Sequence, residues 1–109
     1  MTPYHVQETL NLLSNSTANA NGASQNFKAG KVALQARYAV TGNASSTNCD
    51  VVIQTSLDNA NWANVATVAN VGAATSTGTI TGPIPYARAT LVGTSIGTIN
   101  AKVTGILLY

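Results

Sequence analysis

Residues 49–69, CDVVIQTSLDNANWANVATVA, decide the fold class of this chain. The stretch contains two runs rich in β-branched residues, with a short polar segment between them. Apolar residues at every second position are typical of a strand with one buried face. Because residues 58–61 suit a tight turn, the two runs predict a β-hairpin. In its first strand the pattern predicts inward side chains at Cys49, Val51, Ile53 and Thr55 and outward ones at Asp50, Gln54 and Ser56.

One alternating run precedes this hairpin and three more strands follow it. Residues 75–81, 86–92 and 99–108 read as strands, separated by the breakers GPIP at 82–85 and VGTSIG at 92–97. The earlier run is KVALQARYAVT at 31–41. There the alternation predicts an inward face of Val32, Leu34, Ala36, Tyr38 and Val40 and an opposite face of Ala33, Gln35, Arg37 and Ala39.

Six short strands with hairpin-length links, and no long segment of helical period, favour an all-β fold. Both a two-sheet sandwich and a small barrel fit such a series. We predict an antiparallel β-sandwich, jelly-roll-like, with residues 28–109 as its single domain. Residues 1–27 are predicted to form an extended N-terminal arm and linker. One or two further strands in that region would reach the eight of a jelly roll.

The predicted arm divides into an apolar and a polar piece. Residues 15–26, NSTANANGASQN, contain no large apolar side chain and read as a mobile linker. Residues 1–14 fit either a strand or one face of a short helix, and the β-rich remainder of the chain favours the strand. We expect the sandwich to fold without residues 1–26. The candidate anchors that the arm would place on a neighbouring subunit are Tyr4, Val6, Leu10, Leu12 and Leu13.

The composition excludes several classes of function. Thr, Ser and Asn fill thirty-five of 109 positions, while eight side chains carry formal charge and the net charge is +2. Five scattered cations do not make the basic stripe that nucleic-acid binding requires. One His, one Cys and three carboxylates are too few for acid–base catalysis or a metal site. We therefore expect no enzymatic activity, no cofactor, no metal and no nucleic-acid partner.

Targeting signals are also missing from the sequence. The first twenty residues lack the basic start and apolar core of a signal peptide. No apolar run approaches the roughly twenty residues of a membrane span. Cys49, the single cysteine, can form no internal disulfide and reads as a small buried hydrophobe. We expect a protein made in the cytoplasm without a signal peptide and without membrane contact.

The hairpin belongs to a wider pattern that resembles a known group of proteins. A strand ending in Q-x-S-x-D-x-x-x-W is followed by a Val and, after a Gly- and Thr-rich strand, by G-P-x-x-Y-x-R-A. The matching residues are Gln54, Ser56, Asp58, Trp62, Val65, Gly82, Pro83, Tyr86, Arg88 and Ala89. Over residues 31–104 the chain resembles the small β-sandwich structural proteins of tailed bacteriophage virions. That group often has Asp-Gly where this chain has Asp58-Asn59, and Asn tolerates the positive φ of such turns nearly as well.

Four residues of the pattern are expected to serve the structure. Trp62 is predicted to plug one end of the core rather than to stack on a sugar. Arg88 is predicted to lie across Trp62 or to pair with Asp58, with a plain exposed charge as the alternative. Asp58 is placed in the hairpin turn, and Tyr86 at the edge of the core.

The resemblance implies a virion structural protein, and some members of that group decorate or cement capsids. We expect a capsid decoration or cement protein that forms a homotrimer and stabilises the shell of the major capsid protein. It would be made in the host cytoplasm and reside on the capsid surface. One alternative is a module of the phage tail, baseplate or fibre. A second, from a different class, is a carbohydrate-binding β-sandwich with Trp62 and the tyrosines as a stacking platform.

Overall fold

Nine strands form two facing antiparallel sheets in the part of the chain that the structure describes. The computed structural model describes residues 5–16, 20–22, 24–27, 32–42, 49–69, 71, 75–93 and 98–108. The strands are β1 His5–Ser16, β2 Ala20–Asn21, β3 Gln25–Asn26, β4 Ala33–Thr41, β5 Cys49–Ser56, β6 Ala63–Val68, β7 Ser76–Ile84, β8 Tyr86–Gly93 and β9 Ile99–Leu108. The predicted all-β antiparallel sandwich is confirmed.

The strand order explains how the two layers enclose a core. Sheet A has the order β1-β9-β4-β7, and sheet B has the order β2-β8-β5-β6 with β3 also paired to β8. Strands β5 and β6 form the predicted hairpin. The inner faces of both sheets are apolar, which places the core between them. Its largest fully buried side chains are Phe27, Ile53, Ile84, Leu91, Ile99, Val40, Val51, Val103 and Cys49.

The alternation predicted for β4 holds only in its second half. Ala36 and Val40 point inward as predicted, but Ala33 is fully buried while Leu34 is 62% exposed. The change of face coincides with a register shift between β4 and β7, at Ala33 and Gln35, where the pairing of the two strands is irregular.

Strand β7 continues through the residues that were predicted to end it. The Gly82–Pro83 peptide bond is cis and lies inside β7, which runs to Ile84. Proline is tolerated there because β7 is an edge strand of sheet A and its outer N–H groups need no partner within the sheet. Pro85 alone separates β7 from β8, so the chain passes from sheet A to sheet B at this residue.

The first strand belongs to the sandwich, which corrects its interpretation as an arm. Residues 5–16 form the predicted extended segment, but β1 pairs with β9 of the same chain along its length. Leu10, Leu12 and Leu13 are 6%, 3% and 6% exposed and lie in the core. Leu12 and Leu13 are adjacent yet both buried because β1 has a register shift between Asn11 and Leu13.

Within the predicted mobile linker at 15–26, residues 20–21 and 25–26 instead form strands of sheet B. Strands β2 and β3 both pair with β8, and between them the N–H of Gly22 donates to the carbonyl of Ala89 at 2.7 Å. A Cβ on Gly22 would collide with the carbonyl oxygen of Leu12, so glycine permits this close approach of β1. Phe27 then enters the core with no exposed surface. The pairing and burial of these residues oppose the expectation that the sandwich folds without residues 1–26, which stays a prediction.

Candidate binding site at the β5–β6 hairpin

The turn between β5 and β6 is held by two short polar side chains. The hydroxyl of Ser56 accepts hydrogen bonds from the N–H groups of Asp58 and Asn59, at 3.2 and 2.9 Å. Asp58 Oδ1 accepts from the N–H groups of Ala60 and Asn61, at 2.9 and 2.8 Å. Such local bonds from Ser and Asp replace the backbone bonds that a strand would make. Ser56, predicted to face outward, is buried for this reason.

The backbone conformation of the turn agrees with the sequence. Asn59 has a φ of 62°, the left-handed conformation that asparagine tolerates better than most residues. Its side-chain carbonyl accepts a hydrogen bond from the hydroxyl of Ser24 at 2.5 Å. The segment that carries β2 and β3 therefore also contacts the tip of the hairpin.

Asp58 is a fixed, ionised carboxylate. Hydrogen bonds from the backbone of Asn61 and Ala60, then from the side chains of Asn61 and Ser56, hold the pKa of Asp58 well below its usual range. Asp58 Oδ1 takes three of these bonds, while Oδ2 takes one, from Asn61 Nδ2 at 2.7 Å. The turn therefore presents a negative charge whose position does not depend on side-chain rotamers.

A row of polar side chains crosses the outer face of sheet B beside this turn. Gln54 lies opposite Arg88 on β8 and Asn64 on β6. Its Oε1 accepts from Arg88 Nε at 2.7 Å and from Thr90 Oγ1 at 3.3 Å, and its Nε2 donates to Asn64 Oδ1 at 2.7 Å. The guanidinium carbon of Arg88 then lies 4.3 Å from the centre of the Trp62 ring, a cation–π contact.

The four residues assigned to the core and turn are thus placed as follows. Arg88 lies across Trp62, one of its two predicted arrangements, and Asp58 lies in the turn as predicted. Trp62 is half-buried and outside the core, since its ring packs under Arg88 on the outer surface of the sheet. This position corrects the prediction that Trp62 plugs one end of the core. Tyr86 opens β8 as a half-buried residue at the end of the sandwich.

Trp62 lines an open groove beside the hairpin. The groove has a volume of about 300 Å³ and a mostly apolar surface. Besides Trp62, Leu57, Asp58, Asn61 and Thr55 contribute to its walls. Leu57 is 71% exposed and adds an apolar side chain to the wall of the groove. This groove combines an aromatic ring, a fixed carboxylate and an amide, and we take it as the candidate binding site.

The candidate anchors of the N-terminal region do not contribute to this site. Leu10, Leu12 and Leu13 are core residues, so they are not available to a neighbouring subunit. Val6 lies in β1 opposite Leu107, and Tyr4 lies outside the described residues.

Sequence reasoning missed parts of the site. Gln54 was recognised in a pattern, but its role in holding Arg88 depends on the cross-strand register, which the sequence does not show. Leu57 carried one signal that was available from the sequence, a large apolar residue placed inside a polar turn.

The described ranges contain no group of three or more His, Cys, Asp or Glu side chains close enough to hold a metal ion. Within the same ranges, no helix has the length and hydropathy to cross a membrane. Buried polar side chains of these residues all have hydrogen-bond partners. The candidate site offers an aromatic ring for stacking and a carboxylate and an amide for hydrogen bonds.

No protein-family model and no curated protein matches this chain in sequence. Solved structures do share its fold. The SPBc2 prophage-derived protein YomS matches with a TM-score of 0.65 and 12% identity, over 94% of this chain and 95% of that one. The PBSX exported protein XepA matches with a TM-score of 0.59 and 15% identity, over 93% of this chain and 36% of XepA. A Bacillus endospore appendage protein, from a family of disulfide-linked pili, matches with a TM-score of 0.55 and 12% identity. The match covers 100% of this chain and 90% of the appendage protein.

A carbohydrate-binding module of family 29 also shares the architecture. It matches with a TM-score of 0.50 and 8% identity, over 93% of this chain and 89% of the module. At such low identity these likenesses establish a common fold. The chain is a jelly-roll-like β-sandwich that recurs in phage-derived proteins, in an appendage protein and in a carbohydrate-binding module.

Proposed function

We propose that this chain is a non-enzymatic structural protein of a phage virion, and specifically a capsid decoration protein. In this role, three copies assemble into a homotrimer that rests on the shell of the major capsid protein and stabilises it. The protein is made in the host cytoplasm and joins the capsid surface. The observation that carries the proposal is the outer face of sheet A, which exposes mainly threonine and amide side chains, with Arg37 and Lys102 as two exposed cations.

Sheet A supports the proposal through its exposed threonines. Thr9 and Thr104 share a hydrogen bond of 2.9 Å across β1 and β9, and Thr41 and Thr75 share one of 2.8 Å at the other end of the sheet. Hydroxyl groups can exchange water for protein partners without the large desolvation cost of buried ions. Copies with few like charges can also stand side by side at high density.

The fold likeness adds support of a different kind. Two of the solved structures with this architecture are phage-derived proteins, YomS and XepA. At the level of the fold they agree with the resemblance to phage structural proteins. Residues 5–16 of the predicted arm form strand β1 of the sandwich. The proposed contacts between subunits are therefore made by the outer faces and edges of the folded sandwich.

The decisive experiment is reconstitution on empty shells. Purified protein is mixed with expanded capsids assembled from the major capsid protein alone and visualised by cryo-electron microscopy. We expect trimeric density at threefold or quasi-threefold positions and a higher melting temperature of the shells. Light scattering should give three times the chain mass of 11.1 kDa. A monomer that leaves the shells bare would contradict the proposal.

A tail, baseplate or fibre module is the alternative within the same class. The same purified protein, added to tails and to heads of the phage separately, distinguishes the two locations. Binding to tails alone would support the alternative. In either location we expect assembly to change little between low and molar salt, since its contacts are not ionic.

Carbohydrate binding is the second candidate function. The observation that favours it is the position of Trp62, which lies at the surface beside an open groove rather than in the core. The module of family 29 with the same fold is described as carbohydrate-binding. Retention of the protein on columns of immobilised neutral polysaccharide tests this candidate.

A further inference from the structure

We propose that the groove beside Trp62 is a site for one ring of a neutral sugar chain. The inference rests on the carbohydrate-binding candidate and adds to it the residues of the site and the class of ligand. The apolar face of the sugar ring packs against Trp62 and Leu57. A hydroxyl group of the sugar donates a hydrogen bond to Asp58 Oδ2.

The first step concerns Trp62, whose ring is fixed before any ligand arrives. Arg88 covers it at 4.3 Å, and Arg88 is itself held by the hydrogen bond from its Nε to Gln54. A ring with a fixed orientation loses little conformational entropy on binding. Indole is also the largest apolar surface that one side chain can offer to a flat ligand.

The second step concerns Asp58, which can still accept a hydrogen bond. Among the described residues, Oδ1 accepts three bonds from the turn, whereas Oδ2 accepts one, from Asn61. A carboxylate oxygen has two lone pairs, so Oδ2 retains one for a ligand. Hydrogen bonds to an ionised acceptor are stronger than neutral ones, and the turn already holds this acceptor in place.

The third step concerns the size and charge of the groove. Its volume of about 300 Å³ lies at the lower end of the range for small-molecule sites, and its open shape leaves room for a chain to continue on either side. Asp58 is the charged residue that lines it, while Arg88 does not line it. The groove therefore disfavours sugars that carry carboxylates or sulfates.

The affinity expected from these contacts is low. One sugar ring held by stacking and a single hydrogen bond binds with a dissociation constant in the millimolar range. Many copies on one particle would raise the effective affinity, because each bound copy keeps its neighbours close to the same glycan surface.

The test is an NMR titration of the full-length, ¹⁵N-labelled chain. The probes are four neutral hexasaccharides, of β-1,4-glucose, xylose, mannose and N-acetylglucosamine, with hexagalacturonate as the charged control. At least one neutral probe should shift the indole N–H of Trp62 and the amides of Asn61 and Ala63 at millimolar concentration. Hexagalacturonate should shift them at least tenfold less.

Variants then separate the site from the fold. Binding by the variants is followed on the amides of Asn61 and Ala63. Trp62→Ala should weaken it more than tenfold, and Asp58→Asn should weaken it about three- to tenfold. The matched control Leu34→Ala, on the outer side of β4, should bind as the natural chain does. Because the shift map of the natural chain locates the site directly, the test does not depend on any variant being folded.

Several outcomes would overturn the inference. No shift with any neutral probe at 10 mM would refute both the groove and carbohydrate binding. Arg37, Thr79 and Thr104 line a separate hollow of about 450 Å³ on sheet A. Shifts confined to these residues would retain carbohydrate binding but move it to that hollow. Loss of capsid attachment in Trp62→Ala, without any sugar binding by the natural chain, would instead identify the groove as a protein contact.

Discussion

Replacing Phe27 with alanine is the sharpest test of how the N-terminal region is placed. Phe27 directly follows the paired segments β2 and β3, and its side chain has no exposed surface. The ring lies on the backbone of β9, since a Cβ added to Gly105 would come within 2.5 Å of Phe27 Cζ. Ala33 closes another side. The ring thus occupies space that its neighbours leave open by having little or no side chain.

The expected loss of stability follows from these neighbours. Phe to Ala substitutions in cores cost about 3–5 kcal/mol, and the cost is highest where the surroundings cannot collapse into the cavity. Gly105 and Ala33 lie in β9 and β4, which are hydrogen-bonded to each other. They have almost no side chain to fill the space, so we expect a loss of about 4–5 kcal/mol. A domain of this size is stable by about 5–15 kcal/mol in total.

The assay is urea unfolding followed by the fluorescence of Trp62, the single tryptophan of the chain. Phe27→Ala should lower the midpoint strongly at an unchanged slope, and the melting temperature by roughly 12–25 °C. Phe27→Leu, which keeps most of the volume, should lose about 1–2 kcal/mol. Leu34→Ala, at a position that is 62% exposed, should change stability by less than about 0.5 kcal/mol. A loss below about 1 kcal/mol for Phe27→Ala would refute the docking of residues 20–27.

Three further predictions concern the edges and the turn. Gly22→Ala should destabilise by about 1–3 kcal/mol in urea unfolding, because its Cβ would meet the carbonyls of Leu12 and Ala89; an unchanged midpoint would mean that β1 and β8 are further apart. A double-mutant cycle of Arg88→Ala and Trp62→Ala should give a coupling of about 0.5–1 kcal/mol, and additive losses would contradict the stacking. Since the folded pKa of Asp58 is depressed, the stability it contributes is full above the ordinary aspartate pKa of 3.8 and is lost as the pH falls towards the folded value; NMR should find its carboxylate ionised at pH 3, and a normal titration would rule out the turn geometry.

The sequence predicted the regular parts of the fold well. Strands β5 and β6 were found because an approximate period of two, broken at Val52, and a turn-forming segment are local properties of the chain. The inward positions of Cys49, Val51 and Ile53 follow from the same pattern. The alternation of β4 failed beside a register shift between β4 and β7, and such an irregularity depends on two strands that are far apart in sequence.

The N-terminal region and the candidate site were beyond local pattern reading. Residues 20–26 have no alternation of apolar and polar side chains that would predict a strand. Strands β2 and β3 consist mostly of polar residues, and they pair at the edge of sheet B. Their pairing depends on a close approach of β1 and β8 at Gly22, which is a tertiary property. The contact of Arg88 with Trp62 was predicted from residue types, but its position on the outer surface required the register of β5, β6 and β8.

The pairing of β1 with β9 has a consequence for the order of folding. In sheet A, β9 is the only strand that joins β1 to β4 and β7. During synthesis the leucines of β1 must therefore wait, without their sheet partner, until the chain has been made as far as residue 108. Folding dominated by such distant pairings is slow, on the order of milliseconds to seconds. Until β9 arrives, both edges of this apolar strand are unpaired and open to contact with other chains, and β9 then covers one of them.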